Sequence, residues 1–95
     1  GRLCLDPASR VATCGPRTIP LTWSEFDLLW ILSVNAGRVV PRVDLHQVVT
    51  GTPYDAATRS IDVHVSRLRR KLETAGFTQA TVTAVRFQGY VLLPG

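Results

Sequence analysis

Five of the chain's eleven lysines and arginines, Arg59, Arg67, Arg69, Arg70 and Lys71, fall within or beside one short run, TRSIDVHVSRLRRK, at residues 58–71. Arginine presents a planar fork of donors that matches phosphate oxygens or the O6 and N7 edge of guanine, so a cluster of this kind is equipped to recognise a polyanion. Its spacing sorts the segment into two faces. At about 100° per residue, Ile61, Val65, Leu68 and Leu72 fall within about 60° of one another and predict one buried stripe. The opposite side gathers Arg59, Val63, Ser66, Arg67 and Arg70, flanked by His64 and Lys71 on one edge and by Asp62 and Arg69 on the other. A solvated surface helix would alternate Glu with Lys for small pair energies; this one leaves most of its positive charge without acidic neighbours.

Each position has a bland reading beside the sharp one. Arg67, outward and midway along the helix, is the best placed for a base contact. Val63 either meets a thymine methyl or packs on a neighbouring loop. Ser66 either permits close approach of a partner or is simply solvated. Arg59 lies in the first turn, where a cation opposes the helix dipole, so a phosphate or an acidic side chain is expected to offset it. His64 sits on the shoulder of the face, suited to a phosphate bond or to a half-buried site. Arg69, Arg70 and Lys71 are read as phosphate contacts or as a solvated end that favours the dipole. Asp62, among arginines, reads as a structural ion-pair partner and not as a general base.

Composition bounds the remaining possibilities. A chain of 95 residues with 45% hydrophobic content predicts one folded domain, and a formal charge of +4 favours a polyanionic partner. Cys4 and Cys14 lack metal or redox spacing and are expected to be reduced, half-buried small hydrophobes of a cytoplasmic protein. No apolar run is long enough for a membrane span, so no membrane partner is expected. His46 and His64 are the two histidines, without metalloprotease spacing, and no glycine-rich loop follows a strand. An enzyme is therefore not expected, nor a metal or cofactor. The absence of Met and the start at Gly1 lead to the expectation of a piece of a longer protein.

The elements that must position the arginine face can be read along the chain. Residues 1–21 carry short β-type runs at 2–5, 10–14 and 18–21, broken by Asp6, Pro7, Gly15 and Pro16, which predict three antiparallel strands. Thr22 and Glu25 have the spacing of a capping box opening a helix to about residue 36, with Phe26, Leu29, Trp30 and Ser33 as its stripe, Leu28 and Leu32 widening it, and Gly37 as its stop. Residues 43–49 permit a short second helix, and residues 50–57, with Gly51 and Pro53, read as a loop. Either Asp55 or Thr58 can cap the arginine-rich helix, which ends near Gly76. Residues 81–85 and 90–93 predict a hairpin with Arg86, Phe87, Gln88 and Gly89 at its turn. Arg86 is the charged residue of that hairpin, placed for a backbone or minor-groove contact. The result is an α+β domain over residues 1–95: an N-terminal antiparallel sheet, a three-helix core at 22–76 and a C-terminal hairpin at 81–93, the layout of a winged helix-turn-helix.

Several stretches then carry a family resemblance. LTWSEFDLLWIL, VPRVDL, RSIDVHVSRLRRKL and VRFQGYVL resemble, in turn, the first helix, the start of the second, the recognition helix and the wing of the effector domains of OmpR/PhoB-type two-component response regulators. The resemblance runs from about Leu21 to Leu93. It implies sequence-specific binding of double-stranded DNA, on tandem half-sites, by the effector of a regulator whose upstream receiver domain is phosphorylated on aspartate by a sensor kinase. The isolated domain is expected to be monomeric. The resemblance further implies that Arg59, Ser60, His64, Ser66, Arg67, Arg69 and Arg86 include the DNA contacts, and that Thr50, Gly51, Thr52, Pro53, Tyr54 and Asp55 form the loop that touches RNA polymerase. Two positions depart from the family pattern. Phe87 stands where the wing commonly has its first glycine, implying a different tip or an added apolar contact. Pro41 replaces a frequent serine, leaving Arg42 to meet a phosphate. Two alternatives share this framework: a winged-helix module that binds protein and not DNA, and an effector domain joined to a regulatory domain of another kind.

Overall fold

The computed structural model describes residues 3–50 and 60–94, with the side chains of all of these except Val49, Thr50 and Ser60. Arg59, Asp55, Thr58 and the loop residues Gly51, Thr52, Pro53 and Tyr54 lie outside the described residues. The element order is β1 (Leu3–Asp6), β2 (Val11–Cys14), β3 (Arg17–Ile19), α1 (Trp23–Val34), β4 (Val40–Pro41), α2 (Arg42–Thr50), α3 (Ser60–Thr74), β5 (Ala80–Val85) and β6 (Gly89–Pro94). This is the expected α+β winged-helix layout.

β1, β2 and β3 form one antiparallel sheet in chain order, with Leu3 opposite Cys14 and Ala12 opposite Ile19. Because side chains alternate between faces, Ala12 and Cys14 point into the core. Cys4, opposite Thr13, is exposed. The expectation that both cysteines are half-buried is corrected: the pleat sends one outward and buries the other.

Thr22 and Glu25 form the capping box foreseen from their spacing. The Thr22 hydroxyl accepts from the Glu25 amide at 3.2 Å, and Glu25 Oε1 accepts from the Thr22 amide at 2.9 Å. The helix they open buries Glu25, Phe26, Leu28, Leu29 and Leu32. Trp30 is instead 37% exposed, its ring stacked along Phe26 with centroids 6.4 Å apart. The buried arc centres on Glu25, Leu29 and Leu32, which places Trp30 beyond its rim. α1 ends at Val34 with Asn35 as its cap, slightly before the expected limit; Gly37, at φ +83°, turns the chain so that its amide reaches the Leu92 carbonyl at 2.9 Å.

Helix α3 seats the predicted stripe: Ile61, Val65, Leu68 and Leu72 are all buried, each contributing about 1.5–3 kcal/mol relative to exposure. It stops through a Schellman arrangement. Phe77 donates to the Leu72 carbonyl and Gly76, at φ +81°, to that of Glu73, both at 3.0 Å, while Leu72 and Phe77 pack into the core.

The second sheet holds a strand that sequence periodicity did not reveal. The two residues of β4 pair with β6, giving the order β4-β6-β5, with Val40 opposite Tyr90 and Pro41 opposite Gly89. The approach is so close that a Cβ on Gly89 would overlap the Val40 carbonyl oxygen. Glycine is therefore required where the wing crosses the segment leading into α2. One hydrophobic core joins both sheets and all three helices.

Candidate nucleic-acid interface

With its stripe buried, α3 turns the opposite face to solvent. Val63, Ser66, Arg67 and Arg70 are exposed and, with Asp62, line one shallow open depression. Val63 is 45% exposed on this face. His64 is half-buried on the shoulder, as its angular position suggests. A helix of this kind is narrow enough for a major groove about 12 Å wide. Its presented groups are an arginine fork, a methyl-bearing side chain and a small hydroxyl, with Arg70 beside them.

The flanking residues behave differently. Arg69 and Lys71 lie about 70–90° to either side of the stripe, where long side chains can fold back onto the domain. Arg69 Nε donates to the Val82 carbonyl of β5 at 2.7 Å. Lys71 Nζ lies 2.5 Å from Oε1 of Glu25, the same oxygen that accepts the Thr22 amide. Burial pushes the Glu25 carboxyl up, but the hydrogen bonds from Lys71 and Thr22, with the charge of Lys71, hold it below its ordinary value. One carboxylate thus caps α1 and ties it to α3. Lys71 and Arg69, read from the sequence as phosphate contacts or as a solvated helix end, each make a contact within the domain.

Arg42 is engaged too. Its guanidinium makes a bidentate pair with Asp62, at 2.9 and 3.0 Å, which gives Asp62 the structural role its arginine neighbours implied. The Tyr90 hydroxyl donates to the same carboxylate at 2.5 Å. Burial, and then the bond to Asp62, raise the Tyr90 phenol above its ordinary value, so it stays a neutral donor. The Arg42 and Arg69 guanidinium carbons each lie 5.8 Å from the Tyr90 ring centre. Arg42, Asp62, Arg69 and Tyr90 therefore clamp the start of α2, the outer edge of α3 and both wing strands together.

Sequence reasoning did not single out Tyr90. The signal was present as an aromatic with a polar tip directly after Gly89, but its partner lies 28 residues away. The clamp sets where the wing tip stands relative to α3. At that tip Arg86 and Phe87 are exposed, the Arg86 guanidinium carbon 5.0 Å from the Phe87 ring centre. Phe87 keeps a positive φ of 67°, so a phenylalanine occupies a backbone conformation suited to glycine. Arg59 and the candidate polymerase loop fall outside the described residues, except Thr50, which closes α2.

Comparison with known proteins gives this geometry a lineage. Residues 16–92 match the protein family described as "Transcriptional regulatory protein, C terminal". The transcriptional regulatory protein RstA of Escherichia coli is 38% identical over 94 residues, and the response regulator SaeR of Staphylococcus aureus is 35% identical over 88. These alignments cover 99% and 93% of this chain but 39% of each relative, so the chain spans about two fifths of the length of these curated relatives. Among solved structures, the DNA-binding domain of CpxR from E. coli matches with a TM-score of 0.88 at 35% identity, over 97% of this chain and 90% of that one. The Klebsiella pneumoniae RstA DNA-binding domain in complex with the RstA box matches with a TM-score of 0.83 at 36% identity, over 100% and 94%. With a family match over most of its length, and with three helices and a clamped hairpin in the expected places, the chain belongs to the C-terminal effector domains of OmpR/PhoB-type response regulators.

Proposed function

We propose that this domain binds double-stranded DNA sequence-specifically, with α3 in the major groove and the wing near Arg86 on the backbone or in the minor groove. The observation that carries this reading is the clamp of Arg42, Asp62, Arg69 and Tyr90. It holds an exposed face of Val63, Ser66, Arg67 and Arg70 and a basic wing tip on one rigid frame. The Klebsiella RstA domain, similar over the whole of this chain, was solved on its DNA box, which supports a duplex as the partner. Arg67 and Val63 read base edges; Arg70, His64 and Arg59 meet phosphates. Arg69, Arg42 and Lys71 act mainly by positioning those elements. No catalytic chemistry is part of this role.

In the longer protein, the same reading places a phosphorylated receiver domain upstream, a sensor kinase acting on it, tandem half-sites on the DNA and RNA polymerase at the loop of residues 50–55, all in the cytoplasm. Among the described residues no helix is long and apolar enough to cross a membrane.

The test is binding to duplexes selected from a randomised pool, titrated across salt. Neutralising about five phosphates gives a slope of about −4 to −5 in log affinity against log salt. A flat response, or no enrichment of any duplex, overturns the reading in favour of a protein-interaction module.

A further inference from the structure

The wing tip holds the most exposed large apolar side chain among the described residues, and nothing in the clamp requires it. Phe87 is 91% exposed. The amide of Gln88 donates to the Val85 carbonyl at 3.0 Å, closing a four-residue turn whose third position is Phe87. With φ at +67°, that position takes the conformation for which glycine is usual. A phenylalanine there incurs backbone strain and leaves nearly its whole ring in water, while the Arg86 guanidinium lies beside it. Apart from that Arg86 contact at the same exposed tip, the strained ring gains little within the domain, which points to a function outside it. The tip's surroundings indicate which. The wing root reaches Asp62 through Tyr90, and the Arg42 amide donates to the Gln88 carbonyl at 3.3 Å. Asp62 in turn borders the face of Val63, Ser66, Arg67 and Arg70. The wing that carries the exposed ring is therefore joined, through Tyr90 and Asp62, to the surface proposed to face DNA, and the ring is paired with a cation that can meet the backbone.

We propose that Phe87 is an apolar wedge which the wing inserts into the minor groove at a base step, partly unstacking it, while Arg86 holds the groove edge. The inference rests on the DNA-binding reading and adds a sequence preference to it. Pyrimidine–purine steps, which unstack easily, are favoured under the wing, and stiff A-tracts are disfavoured. The specificity arises at a position where no base edge need be hydrogen-bonded.

The 95-residue chain, with Phe87→Gly and Phe87→Leu variants, is titrated against the selected duplex with either a TA step or an A-tract under the wing, and with 2-aminopurine at that step. Expected for the unaltered chain are a preference for the TA duplex and a rise in 2-aminopurine fluorescence on binding. Phe87→Gly, with a thermal midpoint no lower than that of the parent, loses about ten-fold in affinity for the TA duplex, abolishes the preference and leaves the fluorophore dark; Phe87→Leu falls between. Equal affinities of Phe87→Gly and parent on both duplexes overturn the wedge while leaving DNA binding intact. So does a loss confined to tandem half-sites, which assigns the ring to a second protein copy. Absence of salt-dependent binding by the parent overturns the DNA reading itself, and the wedge with it.

Discussion

Among the described residues, two turns place a residue other than glycine at positive φ, and they treat it in opposite ways. Between β1 and β2, Arg10 stands at φ +57°; at the wing tip, Phe87 stands at φ +67°. Each conformation costs about 1–2 kcal/mol for a side chain with a β-carbon. Arg10 recovers that cost inside the protein. Its guanidinium pairs with Asp27, donates to the Trp23 carbonyl at 3.2 Å, and lies 4.7 Å from the Trp23 ring centre and 5.3 Å from that of Phe26. The strained turn thereby pins the N-terminal sheet to the first turns of α1. Phe87 has a guanidinium at its ring and is otherwise open to solvent. Similar dihedral angles thus mark a structural brace in one turn and an exposed ring, held by no such brace, in the other. What separates them is whether the side chain finds its contacts within the fold.

That contrast can be broken or sharpened. The largest effect is expected at the wing's seat: Gly89→Ala drives a methyl group into the Val40 carbonyl, separates β4 from β6 and lowers stability by about 3 kcal/mol in chemical denaturation. An unchanged midpoint would show that the wing does not depend on its close crossing of β4. Next comes Arg67→Ala, which should lose about 1–3 kcal/mol of binding at one base position while leaving nonspecific affinity little altered, whereas Arg70→Ala weakens all duplexes alike. Equal losses on selected and scrambled duplexes would remove Arg67 from base reading. At the first strained turn, Arg10→Gly relieves the backbone but removes the ion pair and both ring contacts, for a net loss of about 1–2 kcal/mol. The smallest effect has the opposite sign. Phe87→Gly should gain about 0.5–1 kcal/mol, because relief of strain exceeds the added freedom of the unfolded chain. If both glycine substitutions shift the denaturation midpoint in the same direction, the distinction between an internally braced turn and an unbraced one fails.

Much of the site could be read before folding because it depends on local periodicity and turn chemistry. Residues 60–74 specify their own buried stripe and therefore their own exposed face, since about 100° of rotation per residue leaves no other arrangement. Thr22 and Glu25 meet across one helical turn, and Gly76 ends α3 through bonds spanning a few residues. These follow from the order of residues alone. The fate of the flanking cations does not. Arg69, Lys71 and Arg42 find partners 13, 46 and 20 residues away, so only the packed structure decides that they bond within the domain. The same holds for β4, too short to show a period, for Trp30, displaced by where α1 meets its neighbours, and for the two strained turns. A helix fixes the direction of a side chain locally; what that side chain touches at the end of a long, flexible stem is settled by whichever element packs alongside it.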